Sequence, residues 1–194
     1  MNKKICNRFC LLLSIGFLLN SCSLYKEKIL KAEKEISFDF PKISEIKKKE
    51  ISEKSKDISL GYFWGVSEGI YPYFPNHTFE NPISYERPAN IFVLKVDYFF
   101  DKKGMVKLML YEWNPNEKTE TPEDIFKDKF EEIKNFLSEK IGKPTYVNYE
   151  DPEKSREETL RDDVEWKSEN LNAYLFRFKG KGGFDQIRLA LYKD

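Results

Sequence analysis

The chain has 194 residues, with 33 basic and 33 acidic side chains, a single histidine and three cysteines. A formal net charge of zero gives no long-range attraction for nucleic acid, and a lone His77 rules out multi-histidine zinc and haem ligand sets. Cys6, Cys10 and Cys22 all fall at the start of the chain, so no disulfide framework holds the residues beyond them.

The chain opens with Lys3, Lys4 and Arg8, runs through the mostly apolar stretch Phe9–Leu19, and reaches Asn20-Ser21-Cys22. A basic start, a short apolar middle and a small residue at a processing point describe a secretory signal. A membrane-spanning helix needs about 20 apolar residues, so this stretch is too short to cross a bilayer. Leu19-Asn20-Ser21-Cys22 resembles the lipobox of bacterial lipoproteins, with Asn20 a less common occupant of its position. The resemblance covers residues 1–22 alone. It implies cleavage before Cys22, a diacylglycerol thioether on the Cys22 sulfur, and acylation, for instance with palmitate, of the new amino group. Ser23 in place of aspartate then favours the outer membrane, facing the periplasm or the cell surface. Two or more acyl chains give stable attachment where one holds marginally. Loss of residues 1–21 removes three basic and no acidic side chains, leaving 30 against 33 and a net charge of −3.

Residues 22–58 are rich in Lys and Glu and poor in large apolar groups, and read as a charged, lipid-anchored tether. Short helical runs are expected over 27–35 and 44–54, separated by Pro41. As a flexible coil this segment would reach roughly 30–35 Å. The competing reading is a charged helix docked on the domain through Ile29, Ile36, Phe38 and Phe40. Residues 59–194 then form the globular domain, long enough to bury a core without cross-links.

In that domain, Leu60–Gly65 suggests a strand and Tyr71–Pro88 a proline-rich connection. Ile91–Asp101 and Met105–Trp113 are apolar and β-branched or aromatic, and Lys102-Lys103-Gly104 between them predicts a hairpin. Thr121 and Pro122 announce a helix to Ile141, in which Phe126, Phe130, Ile133, Leu137 and Ile141 share one face. Gly142 and Pro144 end it. Thr145–Tyr149, Val164–Ser168, Ala173–Lys179 and Phe184–Tyr192 read as strands, the last two joined by Gly180–Gly183. The expected fold is therefore α+β: a hairpin, one long helix, then a three- to four-strand meander. These strands would make a single antiparallel sheet, with the helix across one face burying all the apolar stripes together.

Few residues carry recognisable chemistry. No serine sits in an acyl-transfer motif, and there is no phosphate loop or dinucleotide fingerprint. No cofactor, metal site or catalytic residue is assigned. Glu157-Glu158 and Asp162-Asp163 lie in a run, 150–163, that reads as solvated surface without the spacing of a calcium loop. The 180–183 loop would cradle an anion or, more simply, turn a hairpin. The segment with most functional colour is Tyr71–Phe79. There Tyr71, Tyr73, Phe74 and His77 would present rigid aromatic area to a partner, or else complete the core.

The sequence thus points to a lipid-anchored envelope lipoprotein carrying a small non-enzymatic interaction domain. Its partners are the membrane, through acylated Cys22, and another protein or an envelope component; nucleic acid is not among them. An inhibitor or immunity-type lipoprotein is one variant. A carboxylate-dependent envelope hydrolase is the alternative, and it requires two acids held apart in a cleft.

Overall fold

The computed structural model describes residues 31–62, 79–116, 123–150, 159–180 and 185–193. Among the described residues three helices, α1 (Ala32–Glu35), α2 (Ile43–Ser52) and α3 (Glu123–Ile141), accompany eight strands. In chain order the strands are β1 (Lys56–Asp57), β2 (Ile83–Ala89), β3 (Phe92–Phe100), β4 (Val106–Pro115), β5 (Tyr146–Asn148), β6 (Thr159–Trp166), β7 (Asn172–Gly180) and β8 (Asp185–Tyr192). They make one antiparallel sheet in the order β1-β2-β3-β4-β8-β7-β6-β5. Each half is a four-strand meander, and β4 against β8 is the seam between them. The fold is α+β with a single sheet.

The central hairpin forms where its turn residues demand it. Gly104 takes φ +73°, and the Asp101 carboxylate accepts from the N–H groups of Lys103 (2.9 Å) and Met105 (3.0 Å). These bonds hold its carboxyl below the usual carboxylate range. A second tight turn joins β2 to β3 through Asn90 at φ +58°, a conformation asparagine tolerates. β2 corrects the expectation of a plain proline-rich connection through residue 88. Pro88 is accommodated because β1 pairs β2 only at Tyr85 and Glu86, so its missing N–H costs no bond on that side. Conversely, Leu60 to Tyr62 form no strand, and the edge strand is Lys56–Asp57 instead.

α3 matches its predicted span closely, with Phe126, Phe130, Ile133 and Leu137 buried. Gly142 closes it at φ +109°, and its carbonyl accepts from the Trp166 indole at 3.0 Å. The helix does not bury every apolar stripe. Opposed residues on antiparallel strands point to the same face, so the registers Tyr111↔Leu189, Leu175↔Leu189 and Val96↔Tyr111 assign each side chain a side. Val96, Met109, Tyr111, Trp113, Ile187, Leu189, Leu175, Val164 and Trp166 face the helices. Leu108, Leu110, Ala190, Tyr192, Tyr174, Phe176 and Phe178 face the other way, and all but Phe178 of this second set are buried. The sheet therefore has apolar material on both faces, a correction to the one-sided core.

Residues 32–58 also depart from the expected tether. Ala32, Ile36, Ile46 and Glu50 are buried, the Ser37 amide donates to the Tyr111 hydroxyl at 3.1 Å, and β1 joins the sheet. The segment belongs to the same compact unit as the strands, which begins at Ala32. The docked alternative accounts for it: Phe38 packs on Phe136 of α3 with ring centroids 5.5 Å apart, and Lys193 caps Phe40 at 4.9 Å. The polar faces of these short helices made the segment look solvated, while a few apolar and buried charged groups fix it.

Candidate functional site: the helix-free face and edge of the sheet

All three helices lie over one face. Glu35 of α1 accepts from the Trp113 indole at 2.9 Å, Tyr98 donates to Glu50 of α2, and Phe126 of α3 meets Phe92 edge-on at 5.1 Å. The charged groups on that face are pinned. Lys129 is buried between Glu35 (2.7 Å) and Glu132 (3.1 Å), with its ammonium 5.9 Å from the Trp113 ring. Asp162 is ion-paired to Arg177, whose guanidinium lies over Phe130 at 5.4 Å.

Among the described residues, the opposite face carries no helix. Reading the registers across it gives the row Lys56, Glu86, Lys95, Glu112, Arg188, Phe176, Asp163, Asn148, one residue from each strand in sheet order. Charge alternates over the first five strands, the arrangement that favours neighbouring cross-strand pairs. Arg188 meets Glu112 at 3.3 Å, and Gln186 beside them donates to Asn114 at 2.5 Å. One row away, Asp97 accepts from the Ser84 hydroxyl at 2.5 Å and meets Lys95 at 3.1 Å. Burial pushes the Asp97 carboxyl above its ordinary value although Lys95 and Ser84 oppose the shift.

At the β6–β7 end, Arg161 bonds Asp163 at 2.7 Å and lies over Phe176 (4.6 Å), Phe178 (5.5 Å) and Tyr174 (5.6 Å). The Tyr174 hydroxyl donates to Asp163 and accepts from Arg161. Burial, then the bond to Asp163, raises its phenol above the ordinary value. Asp162-Asp163, expected in a solvated loop, is thus inside a strand, with its two carboxylates on opposite faces and each paired to an arginine. Phe99, Leu108, Leu110, Ala190 and Tyr192 form an apolar cluster on this face, and Phe79 packs on Phe99 at 5.4 Å.

A groove of about 650 Å³ lies along the chain leading into α2, lined by Ser37, Asp39, Phe40, Pro41, Glu45, Ile46 and Lys49. It holds two carboxylates, Asp39 and Glu45, both exposed. Among the described residues there is no group of three or more His, Cys, Asp or Glu placed to hold a metal ion, and no helix is long and apolar enough to cross a membrane.

Cys22, Tyr71, Tyr73, Phe74 and His77 lie outside the described residues, as do Glu157, Glu158 and the 181–183 loop. What the sequence did not signal is the exposed apolar surface at β5. Tyr146, Val147 and Tyr149 are 50%, 47% and 47% exposed, at the far edge of the sheet. Comparison with protein-family models, with curated proteins and with solved structures returns no match.

Proposed function

We propose that this chain is a lipid-anchored envelope lipoprotein whose sheet domain works by binding rather than by catalysis. The observation that carries the reading is Cys22, placed directly after a basic-then-apolar leader and followed by no further cysteine. Its location would be the outer membrane, facing the periplasm or the cell surface, and its ligand another protein or an envelope component. An inhibitor or immunity-type role falls within the same reading. Exposed apolar surface at Tyr146, Val147 and Tyr149 supports it, because such surface is suited to contact with a partner. With α1 beginning at Ala32, the link left to a lipidated Cys22 is residues 23–31. Fully extended, that link reaches about 30 Å at most.

Labelled palmitate supplied to cells producing the chain tests the anchor. The unaltered protein takes up label and partitions with membranes, whereas Cys22→Ser does neither. Label retained by Cys22→Ser would overturn the assignment.

The groove with Asp39 and Glu45 is what favours the second reading, a carboxylate-dependent hydrolase. Asp39→Asn and Glu45→Gln would each abolish hydrolysis of an envelope glycan if that reading held, and would leave partner capture unchanged if the first holds.

A further inference from the structure

β5 ends the sheet, and among the described residues no strand pairs with its outer side. The two edges differ in chemistry. β1 is Lys56–Asp57, a short, charged edge of the kind that discourages strand addition. β5 is Tyr146-Val147-Asn148, without a charge. By register Tyr146 sits on the helix-free face opposite Glu165, and Val147 on the helix face opposite Val164. The exposed apolar surface therefore wraps both sides of this edge. Tyr149 adds a ring already held in place: its hydroxyl accepts from Lys134 at 2.8 Å and donates to Glu131 at 3.2 Å. A ring fixed before contact loses little entropy on contact.

We propose that β5 is the pairing edge of a homodimer. The β5 strands of two copies lie antiparallel about a two-fold axis at Val147, which fuses the two sheets into one. Three features select a second copy as the occupant. Antiparallel two-fold pairing requires opposed residues to share a face, which holds when the axis passes through a residue. With Val147 on the axis, Tyr146 meets the second copy's Asn148, and Thr145 meets its Tyr149. Pro144 has no N–H to give and stops the run on one side, which makes Val147 the midpoint of the usable edge, 145–149. Charge agrees with this orientation. Exposed Lys143 precedes the strand and Glu150 follows it, so antiparallel pairing sets the cation of each copy beside the anion of the other. Parallel pairing would align like charges.

The described domain contains no cysteine, which makes the test direct. Across an antiparallel pair, opposed Cα atoms are about 4.5–5.5 Å apart, within reach of a disulfide. The full chain carrying Val147→Cys, oxidised on intact cells and run without reductant, is expected to give a cross-linked dimer. The unaltered chain and Ile51→Cys, at an exposed position on α2, are not. Lys143→Glu in the Val147→Cys background should lower the dimer yield about fivefold, as should Glu150→Lys, and the two together should restore it. Equal cross-linking of Val147→Cys and Ile51→Cys, no cross-linking of either, or no recovery in the charge-swapped pair would overturn the proposal.

Discussion

The Tyr98 hydroxyl donates to Glu50 Oε1 at 2.5 Å, tying the middle of β3 to a helix that reads from sequence as solvated. Glu50 is wholly buried, and Arg87 (2.8 Å) and the Ser55 hydroxyl (2.5 Å) bond its second oxygen. A carboxylate out of water is tolerated only when it is satisfied in this way. Glu50→Ala strands the Tyr98 hydroxyl and leaves Arg87 with Glu53 (3.0 Å) as its remaining carboxylate, and is expected to cost about 3–5 kcal/mol in urea denaturation. Tyr98→Phe removes one bond and is expected to cost about 1–2 kcal/mol. Trypsin should spare Lys47–Lys49 in the native protein and cut there first in Glu50→Ala.

Lys129 gives a second, graded test. Lys129→Ala removes the cation between Glu35 and Glu132 and leaves a void against Trp113, an expected loss of about 3–5 kcal/mol. Lys129→Met fills the volume while Glu35 keeps its bond from the Trp113 indole, so it should lose less than half as much. Thermal melts of the two variants against the parent measure the ordering.

Asp97 sets a pH dependence. Its folded pKa lies above its unfolded value near 3.8, so the folded state holds this proton more tightly and ionisation is a penalty. That penalty is fully present well above the folded pKa and fades as pH falls through it toward 3.8. Asp97→Asn should therefore stabilise the protein at neutral pH. Denaturation midpoints of variant and parent should converge as pH is lowered, and a constant difference would refute the assignment.

Several phenols resist ionisation. Burial pushes Tyr111 up to about 12, and raises Tyr98 and Tyr174 further. Stability owed to these groups is complete below the unfolded value of 10.0 and falls above it, since the unfolded chain ionises first. Ultraviolet titration should show part of the tyrosine signal missing at about pH 11 and appearing together with loss of near-ultraviolet circular dichroism.

Much of the frame was legible in local sequence. Lys102-Lys103-Gly104 between two β-rich runs gave the central hairpin, and the Phe126, Phe130, Ile133, Leu137 spacing gave α3. The division of the core between two faces was not. In Leu108-Met109-Leu110-Tyr111 consecutive residues are apolar, so alternation never says which side is which, and only the register with β8 decides. β2 was hidden by Pro82 and Pro88, which break the β pattern locally but fall where few ladder bonds are lost. The first half of β6 was hidden by Arg161-Asp162-Asp163, whose charges are balanced by Arg177 and by Arg161 itself, partners supplied by tertiary pairing. The exposed edge at Tyr146–Tyr149 depends on β5 being last in the strand order, a property of the whole sheet that no window of residues contains.

The seam between β4 and β8 has a consequence for how the molecule comes into being. β8 is the last of the described strands in chain order, yet it occupies the centre of the sheet, so neither half is backed on that side until β8 has been made. A chain threaded through a narrow channel from its amino end would thus keep this domain pliable until β8 emerged, and only then would the sheet lock.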